Sequence, residues 1–203
     1  ENPWIRENFQ RNCITRGLAE SNSEDLIIIS DVDEIPDLKN INEYLKDKRY
    51  AVFKQKAFYY KLNMQNITLP YWYGSRICKK KYLKSPQWLR NLKFKKRPFW
   101  RIDKYRLNNI IENGGWHFCN LKTPKELLYK YKNMAETKDI FIWEGSVDGK
   151  IDPKYLSVEQ IENSIKEGRN LAGKNEYFQK IEIDNSYPKY ILQNLVKLKE
   201  WIV

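Results

Sequence analysis

Leu26-Ile27-Ile28-Ile29 is an unbroken apolar run, mostly β-branched, that closes on Ser30-Asp31-Val32-Asp33-Glu34-Ile35-Pro36. A run this short and this apolar has the pattern of a strand buried on both faces in a mainly parallel sheet. It therefore predicts an α/β fold, with helices packed against a central sheet. The chain has 203 residues, 41% of them hydrophobic, which is enough for one core of ordinary size and predicts a single domain.

The flanking segments fit that architecture. Trp4, Ile5, Phe9, Ile14 and Leu18 recur at near-helical spacing over 4–20, and Gly17 with the polar run 20–25 supplies a stop. A helix is predicted at about 37–48, then strands at 50–55 and 57–62 and a short strand at 110–112. Asn113-Gly114-Gly115 is a turn signal leading into Trp116-His117-Phe118. Thr123-Pro124-Lys125-Glu126 is a capping box with proline at the first helical position, and Ser157-Val158-Glu159-Gln160 repeats the logic. The two predict helices to about residues 136 and 168. Tyr190, Ile191, Leu195, Leu198 and Ile202 predict an amphipathic helix over about 187–202.

Charge is unevenly spread. Lys and Arg total 37 against 26 Asp and Glu, a net charge of +11, and residues 76–106 hold thirteen of the basic residues against Asp103 alone. That balance favours phosphate-bearing substrates, polyanions or an anionic membrane surface. The interleaved aromatics also suit a nucleic-acid site, but the segment fits no named nucleic-acid motif, so no nucleic acid is expected. Cys13, Cys78 and Cys119 are odd in number and form no C-x-x-C pair, which argues against a disulfide framework or a zinc site. Asn66-Ile67-Thr68 is a glycosylation sequon of the kind that arises often by chance.

The chemistry is concentrated at the end of the first strand. Open α/β sheets place their ligands beyond the carboxyl ends of their strands, and Asp31 and Asp33 stand there one residue apart. Two carboxylates of this kind suit Mg²⁺ or Mn²⁺, which complete their shells with water and substrate phosphates. The bland alternative is a turn initiated by Asp31, with Asp33 and Glu34 solvated. Two enzyme classes end an apolar strand in D-x-D. In haloacid-dehalogenase-like phosphatases the first Asp is the nucleophile; this chain has Ile35 where Thr or Val is usual, and 147–152 makes a poor second acidic motif. In nucleotide-sugar transferases of the GT-A type, the pair binds a metal that bridges the donor diphosphate.

The longer string Asp31-Val32-Asp33-Glu34-Ile35-Pro36, preceded by Arg6-Glu7-Asn8-Phe9-Gln10-Arg11-Asn12, resembles glycosyltransferase family 17, which includes β-1,4-mannosyl-glycoprotein 4-β-N-acetylglucosaminyltransferases. Segments 50–56, 58–63, 84–90, 97–101 and 114–118 resemble the family in the same order, so the likeness covers about 4–136. The resemblance implies a GT-A-like fold and an inverting transfer of N-acetylglucosamine from UDP-GlcNAc to a hydroxyl of a mannose-containing glycan. It also implies that the chain is a single catalytic domain over 1–203. The family-like core would be 1–136 and a C-terminal helical extension 137–203. Only thirty residues precede Asp31, and the first is Glu1 rather than Met, so the domain is expected to lack its N-terminal strand–helix units.

Site residues follow from both readings. Asp31 and Asp33 would bind Mn²⁺ or Mg²⁺, with Arg76 or Lys79 assisting at the diphosphate. An inverting transfer needs a carboxylate base, and Glu112 is the first candidate and Asp103 the second. His117, the only histidine, reads on its own as a hydrogen-bonded core residue, whereas the resemblance implies a metal ligand. Trp88, Trp100, Trp116, Tyr59 and Tyr60 could wall a sugar site, although such aromatics are ordinarily core. No apolar stretch approaches a bilayer span, and 1–30 has no leader pattern. This chain alone therefore reads as cytoplasmic or membrane-peripheral, and as Golgi-luminal if it follows the animal members.

Overall fold

The computed structural model describes residues 3–39, 41, 48–93, 107, 109–133, 156–171 and 175–203. In chain order its elements are α1 (Pro3–Asn12), β1 (Leu26–Ile29), β2 (Glu34–Pro36), β3 (Tyr50–Phe53), β4 (Gln55–Tyr59), β5 (Met64–Asn66), β6 (Tyr71–Trp72) and β7 (Arg76–Lys79). There follow α2 (Pro86–Arg90), β8 (Ile110–Ile111), β9 (Gly115–Cys119), α3 (Pro124–Asn133), α4 (Val158–Lys166), β10 (Phe178–Lys180) and α5 (Lys189–Gln193). The chain divides into two compact units, Glu1–Lys56 with Tyr71–His117, and Ala57–Pro70 with Phe118–Val203.

The first unit is mixed α/β. Its four-stranded sheet runs β1-β7-β3-β8, with β1 and β3 antiparallel to β7 and only β8 parallel to β3. The expectation of a mainly parallel sheet is corrected here. Four apolar residues in a row cannot distinguish a central parallel strand from an antiparallel edge strand whose second face is partly covered. β1 is of the latter kind: Ile27 and Ile29 are buried, Ile28 is half-buried, Leu26 is exposed, and β7 is its one strand partner among the described residues. The interior strands β3 and β7 carry the burial on both faces. Tyr50, Val52 and Cys78 pack with Ile27, Ile29 and Leu89 on one side, and Ala51, Phe53 and Ile77 pack with Ile41 and Ile111 on the other. Burial in this apolar setting pushes the Cys78 thiol up to about 12.

A second set of strands in the same unit builds the site. β2 lies antiparallel to β9, with Glu34 opposite His117 and Pro36 opposite Gly115. β6 pairs with the start of β4, Trp72 facing Gln55. Gly115 is required where it stands, because its φ is +117° and a Cβ there would strike the Ile35 carbonyl. The helix over 4–20 is realised as α1 followed by a 3₁₀ turn, Cys13–Leu18, in which Gly17 weakens the α-helix. The helix expected at 37–48 lies largely outside the described residues.

The second unit packs α3 and α4 against β5 and β10, which pair antiparallel. Its core is Tyr60, Met64, Leu127, Tyr131, Leu156, Ile161, Leu171 and Phe178. Both capping boxes form: Thr123 and Glu126 exchange bonds at 2.9 and 3.4 Å, and Ser157 and Gln160 at 2.8 and 3.2 Å. The stretch 187–202 is helical only over α5 and a 3₁₀ turn, Lys199–Trp201. Its last backbone groups are drawn off to other partners. Leu62 N–H donates to the Trp201 carbonyl, and Asn63 Nδ2 donates to the Val203 carbonyl and its Oδ1 accepts from Val203 N–H. The sequon Asn66 is buried, with Nδ2 on Glu176 and Oδ1 accepting from Thr68 and Leu69 N–H, so its amide is already committed. No described helix is long and apolar enough to cross a membrane.

Ile77 is fully buried in the first unit, whereas Val32, at the tip of the loop after β1, is fully exposed. Ile77→Ala should lower the unfolding free energy by about 2–5 kcal/mol in a denaturant titration. Val32→Ala should stay within about 0.5 kcal/mol of the parent.

Candidate functional site

The chain leaves β1 at Ile29 and reverses in a tight turn, in which Glu34 N–H donates to the Asp31 carbonyl at 3.0 Å. Aspartate is favoured at the first position of such a turn. Had the strand continued, Asp31 and Asp33 would project together. The turn separates their surroundings instead.

Asp31 is held by two arginines. Arg90 Nη2 lies 2.6 Å from its Oδ2, and Arg11 Nη2 lies 3.3 Å from its Oδ1. Arg11 extends from α1 and also donates to Glu7 at 2.9 Å and to Gln87 at 2.7 Å. Arg90 closes α2, whose N-cap Ser85 accepts from Trp88 N–H.

Glu34 is not solvated. Its side chain is 1% exposed and its carboxylate is surrounded by donors. Oε1 accepts from Trp72 Nε1 and Arg90 Nη2, both at 2.6 Å, and Oε2 accepts from Ser75 Oγ at 2.8 Å and Arg90 Nη1 at 3.0 Å. Burial alone would raise its pKa, but the Arg90 bonds and charge, with Trp72 and Ser75, hold the carboxyl below the usual range. The backbone at Gly74 sits directly against this group, and a Cβ there would fall on the Glu34 carboxylate and the Trp72 indole.

Trp72 carries the geometry onward to His117. The indole that donates to Glu34 stacks on the imidazole, with ring centres 4.8 Å apart and planes at 22°. His117 is buried; its Nε2 lies 3.5 Å from Asp33 Oδ2, and its Nδ1 has no hydrogen-bond partner. A buried polar atom left in this state is costly unless a ligand or ion meets it. Cys119 stands two residues further along β9, on the His117 side by strand alternation.

These residues pass a test of fit to a divalent cation. Two ligand atoms at about 2.1 Å from one ion, at adjacent octahedral positions, stand about 3 Å apart. The Asp33–His117 separation is close to that. One carboxylate and one imidazole suit Mn²⁺ better than Mg²⁺, which prefers oxygen alone. Asp31 is the weaker ligand of the expected pair, since both its oxygens face guanidinium groups.

The other expected site residues have protein partners of their own. Arg76 is buried, and its guanidinium donates to the carbonyls of Tyr73, Gly74 and Leu92. Desolvation, and then the Arg90 charge, bring its pKa down to about 10, so it remains a cation that clamps the 73–74 backbone. Lys79 pairs with Glu24 at 2.8 Å. Each of the two cations therefore already has protein partners in this structure. Glu112 is exposed and bridges to Lys54 at 2.8 Å, a contact that raises the Lys54 pKa.

The aromatics named for a sugar wall have packing partners. Trp88 packs edge-on against Tyr50 at 5.4 Å, Trp116 is buried opposite Ile35, and Tyr60 lies in the core of the second unit. Tyr59 stacks on Phe178 at 4.5 Å and 8°. These rings are taken up by packing, as burial of large apolar area favours. Asp103, Trp100 and the acidic pair of 147–152 lie outside the described residues. Sequence reasoning missed the structural weight of Glu34, Trp72, Ser75 and Arg90. The signal within reach was Glu34, a third acid on the strand whose partner strand carries the only histidine. Compared with protein-family models, curated proteins and solved structures, the chain finds no match.

Glu34→Gln should lower the unfolding free energy by about 3 kcal/mol at neutral pH, because it leaves Arg90 without its buried counter-charge. A carboxyl held below its ordinary range contributes stability above that range and loses it as pH falls through the lowered value. The gap between parent and variant in denaturant titrations should therefore be full at pH 7 and close as pH falls below about 4.

Proposed function

We propose that the first unit carries the donor site of a metal-dependent, inverting glycosyltransferase that moves N-acetylglucosamine from UDP-GlcNAc to a hydroxyl of a mannose-containing glycan. The observation that carries this reading is the Asp33–His117 pair, in which a carboxylate oxygen at the turn after β1 lies 3.5 Å from Nε2 of the buried imidazole on β9. The ordered family-like segments of the sequence support the choice of reaction and of sugar.

Asp33 and His117 would hold the metal. When bound, it would offset the negative charge of the donor diphosphate. Arg11 and Arg90 keep Asp31 neutralised beside it, so the loop offers one carboxylate, not two, to a cation. In the reaction the acceptor hydroxyl oxygen bonds to the anomeric carbon as the bond to the diphosphate oxygen breaks. Configuration inverts, the hydroxyl proton passes to a carboxylate, and UDP departs. Glu112 is the described candidate for that base, and its Oε2 accepts from Lys54 Nζ at 2.8 Å. Asp103 is the other.

The phosphatase alternative loses ground on this geometry. A nucleophilic Asp31 would need a free oxygen, and both oxygens face arginines. The nucleic-acid alternative is weakened at Lys79 and Lys81, which both pair with Glu24.

Two experiments test the proposal. A donor screen with UDP-GlcNAc, UDP-Gal, UDP-Glc and GDP-Man in Mn²⁺ should select UDP-GlcNAc. In calorimetric titrations Asp33→Ala should abolish Mn²⁺-dependent UDP binding, with turnover falling about a thousandfold. Unchanged Mn²⁺-dependent UDP affinity in that variant would refute the metal assignment. Glu112→Gln should leave UDP-GlcNAc affinity within a few-fold and suppress transfer; full activity there, with loss in Asp103→Asn, would move the base to Asp103.

A further inference from the structure

The guanidinium of Arg90 touches both ends of the turn that presents Asp33. Its Nη2 is 2.6 Å from Asp31 Oδ2 and 2.6 Å from Glu34 Oε1, while Nη1 reaches Glu34 Oε2 at 3.0 Å. The turn is closed a second time within the backbone, by Glu34 N–H to the Asp31 carbonyl at 3.0 Å. Asp31 N–H also donates to Glu34 Oε2 at 3.3 Å. Asp33 lies between the two residues that this ring of bonds joins, and its Oδ2 is 3.5 Å from His117 Nε2.

Arg90 is itself firmly placed. It is the last residue of α2, next to the fully buried Leu89, and its side chain is 12% exposed. A fork of planar donors can grip one carboxylate with two bonds and reach a second, whereas an ammonium is a point charge without that geometry.

A positive charge this close to a cation site does not help a metal to bind. Its sign opposes binding, so a different reason is needed for a buried arginine there. We infer that Arg90 is a positioning residue: by bridging Asp31 and Glu34 it fixes the turn so that Asp33 faces His117. The inference rests on the reading that Asp33 and His117 hold a divalent cation. It goes beyond it by assigning the placement of that pair to an arginine 57 positions away in the sequence.

The two explanations of Arg90 predict opposite signs. If Arg90 acted by charge, Arg90→Lys would bind Mn²⁺ as the parent does, and Arg90→Gln would bind it more tightly. If it positions, both variants weaken Mn²⁺, by about tenfold or more, the range usual for groups that orient metal ligands.

The test uses the whole chain and two readouts. The first is Mn²⁺ affinity by calorimetry for the parent, Arg90→Lys, Arg90→Gln and Asp33→Asn. The second needs no metal: the chain has one histidine, so ¹⁵N-labelled imidazole gives a single set of ring signals. Those signals should move in Arg90→Lys and Asp33→Asn. They should move also in Asp31→Asn, which loosens the turn but leaves the buried Glu34–Arg90 pair in place and keeps the test available should Arg90→Gln not fold. Unchanged ring signals and unchanged Mn²⁺ affinity in a folded Arg90→Lys would overturn the inference. Equal Mn²⁺ affinity in parent and Asp33→Asn would overturn the metal reading instead. Ring signals that move in Arg90→Lys but not in Asp31→Asn would trace to Glu34 and the stacked Trp72 instead of Asp33, and would also overturn the inference.

Discussion

A carboxylate buried to the depth of Glu34 is tolerated only when donors replace its lost water, and much of the first unit is arranged to supply them. The donors come from segments far apart in sequence: Trp72 and Ser75 from the strands around residues 71–79, Arg90 from the end of α2. Each of these groups needs its own support. Arg76 spends its guanidinium on the carbonyls of Tyr73 and Gly74, which holds the backbone that carries Trp72 and Ser75. The absence of a side chain at Gly74 lets that backbone lie against the carboxylate. One buried charge thus ties β2, β6, β7 and α2 together more specifically than apolar packing would, since a charge accepts few arrangements of donors.

The same charge explains why the two aspartates of the loop differ. Arg90 is recruited by Glu34, and the recruited guanidinium extends to Asp31, which Arg11 neutralises from the other side. Asp33 lies on the far limb of the turn and meets His117, whose ring is held in place by Trp72. Trp72 therefore serves both halves of the arrangement, bonding to Glu34 with its N–H and packing on His117 with its face. The two aspartates of the D-x-D sequence therefore have different surroundings, Asp31 between two arginines and Asp33 beside the imidazole.

Several of the basic and aromatic residues that the sequence offered to ligands have protein partners. Among the described residues, Lys79 and Lys81 share Glu24, Lys54 is matched with Glu112, and Arg76 binds backbone. Tyr60 is a core residue of the second unit and Tyr59 packs against that core, with burial raising both phenols well above their usual range. Trp88 and Trp116 are packed in the first unit. Rings rich in apolar area are driven inward first, and only those with no room inside remain for a ligand.

Local signals in the sequence were sufficient for the elements that depend on local physics. The strands at 26–29, 50–53 and 110–111, the turn with Asn113 and Gly115 at positive φ, and the capped starts of α3 and α4 all follow from periodicity, turn chemistry and side chains that bond to their own backbone. Asp33 and His117 could be named as candidates from residue type alone, because few side chains can hold a cation. Only the tertiary structure decided the direction of the strands around β1, the shortening of the final helix, and the division of labour between Asp31 and Asp33. Those outcomes depend on partners 50 or more residues distant, such as Arg90 on Asp31 at a separation of 59 and Asn63 on Val203 at 140. A local pattern shows that a group must be buried or satisfied. Which distant group does it is settled by the packing of the whole chain.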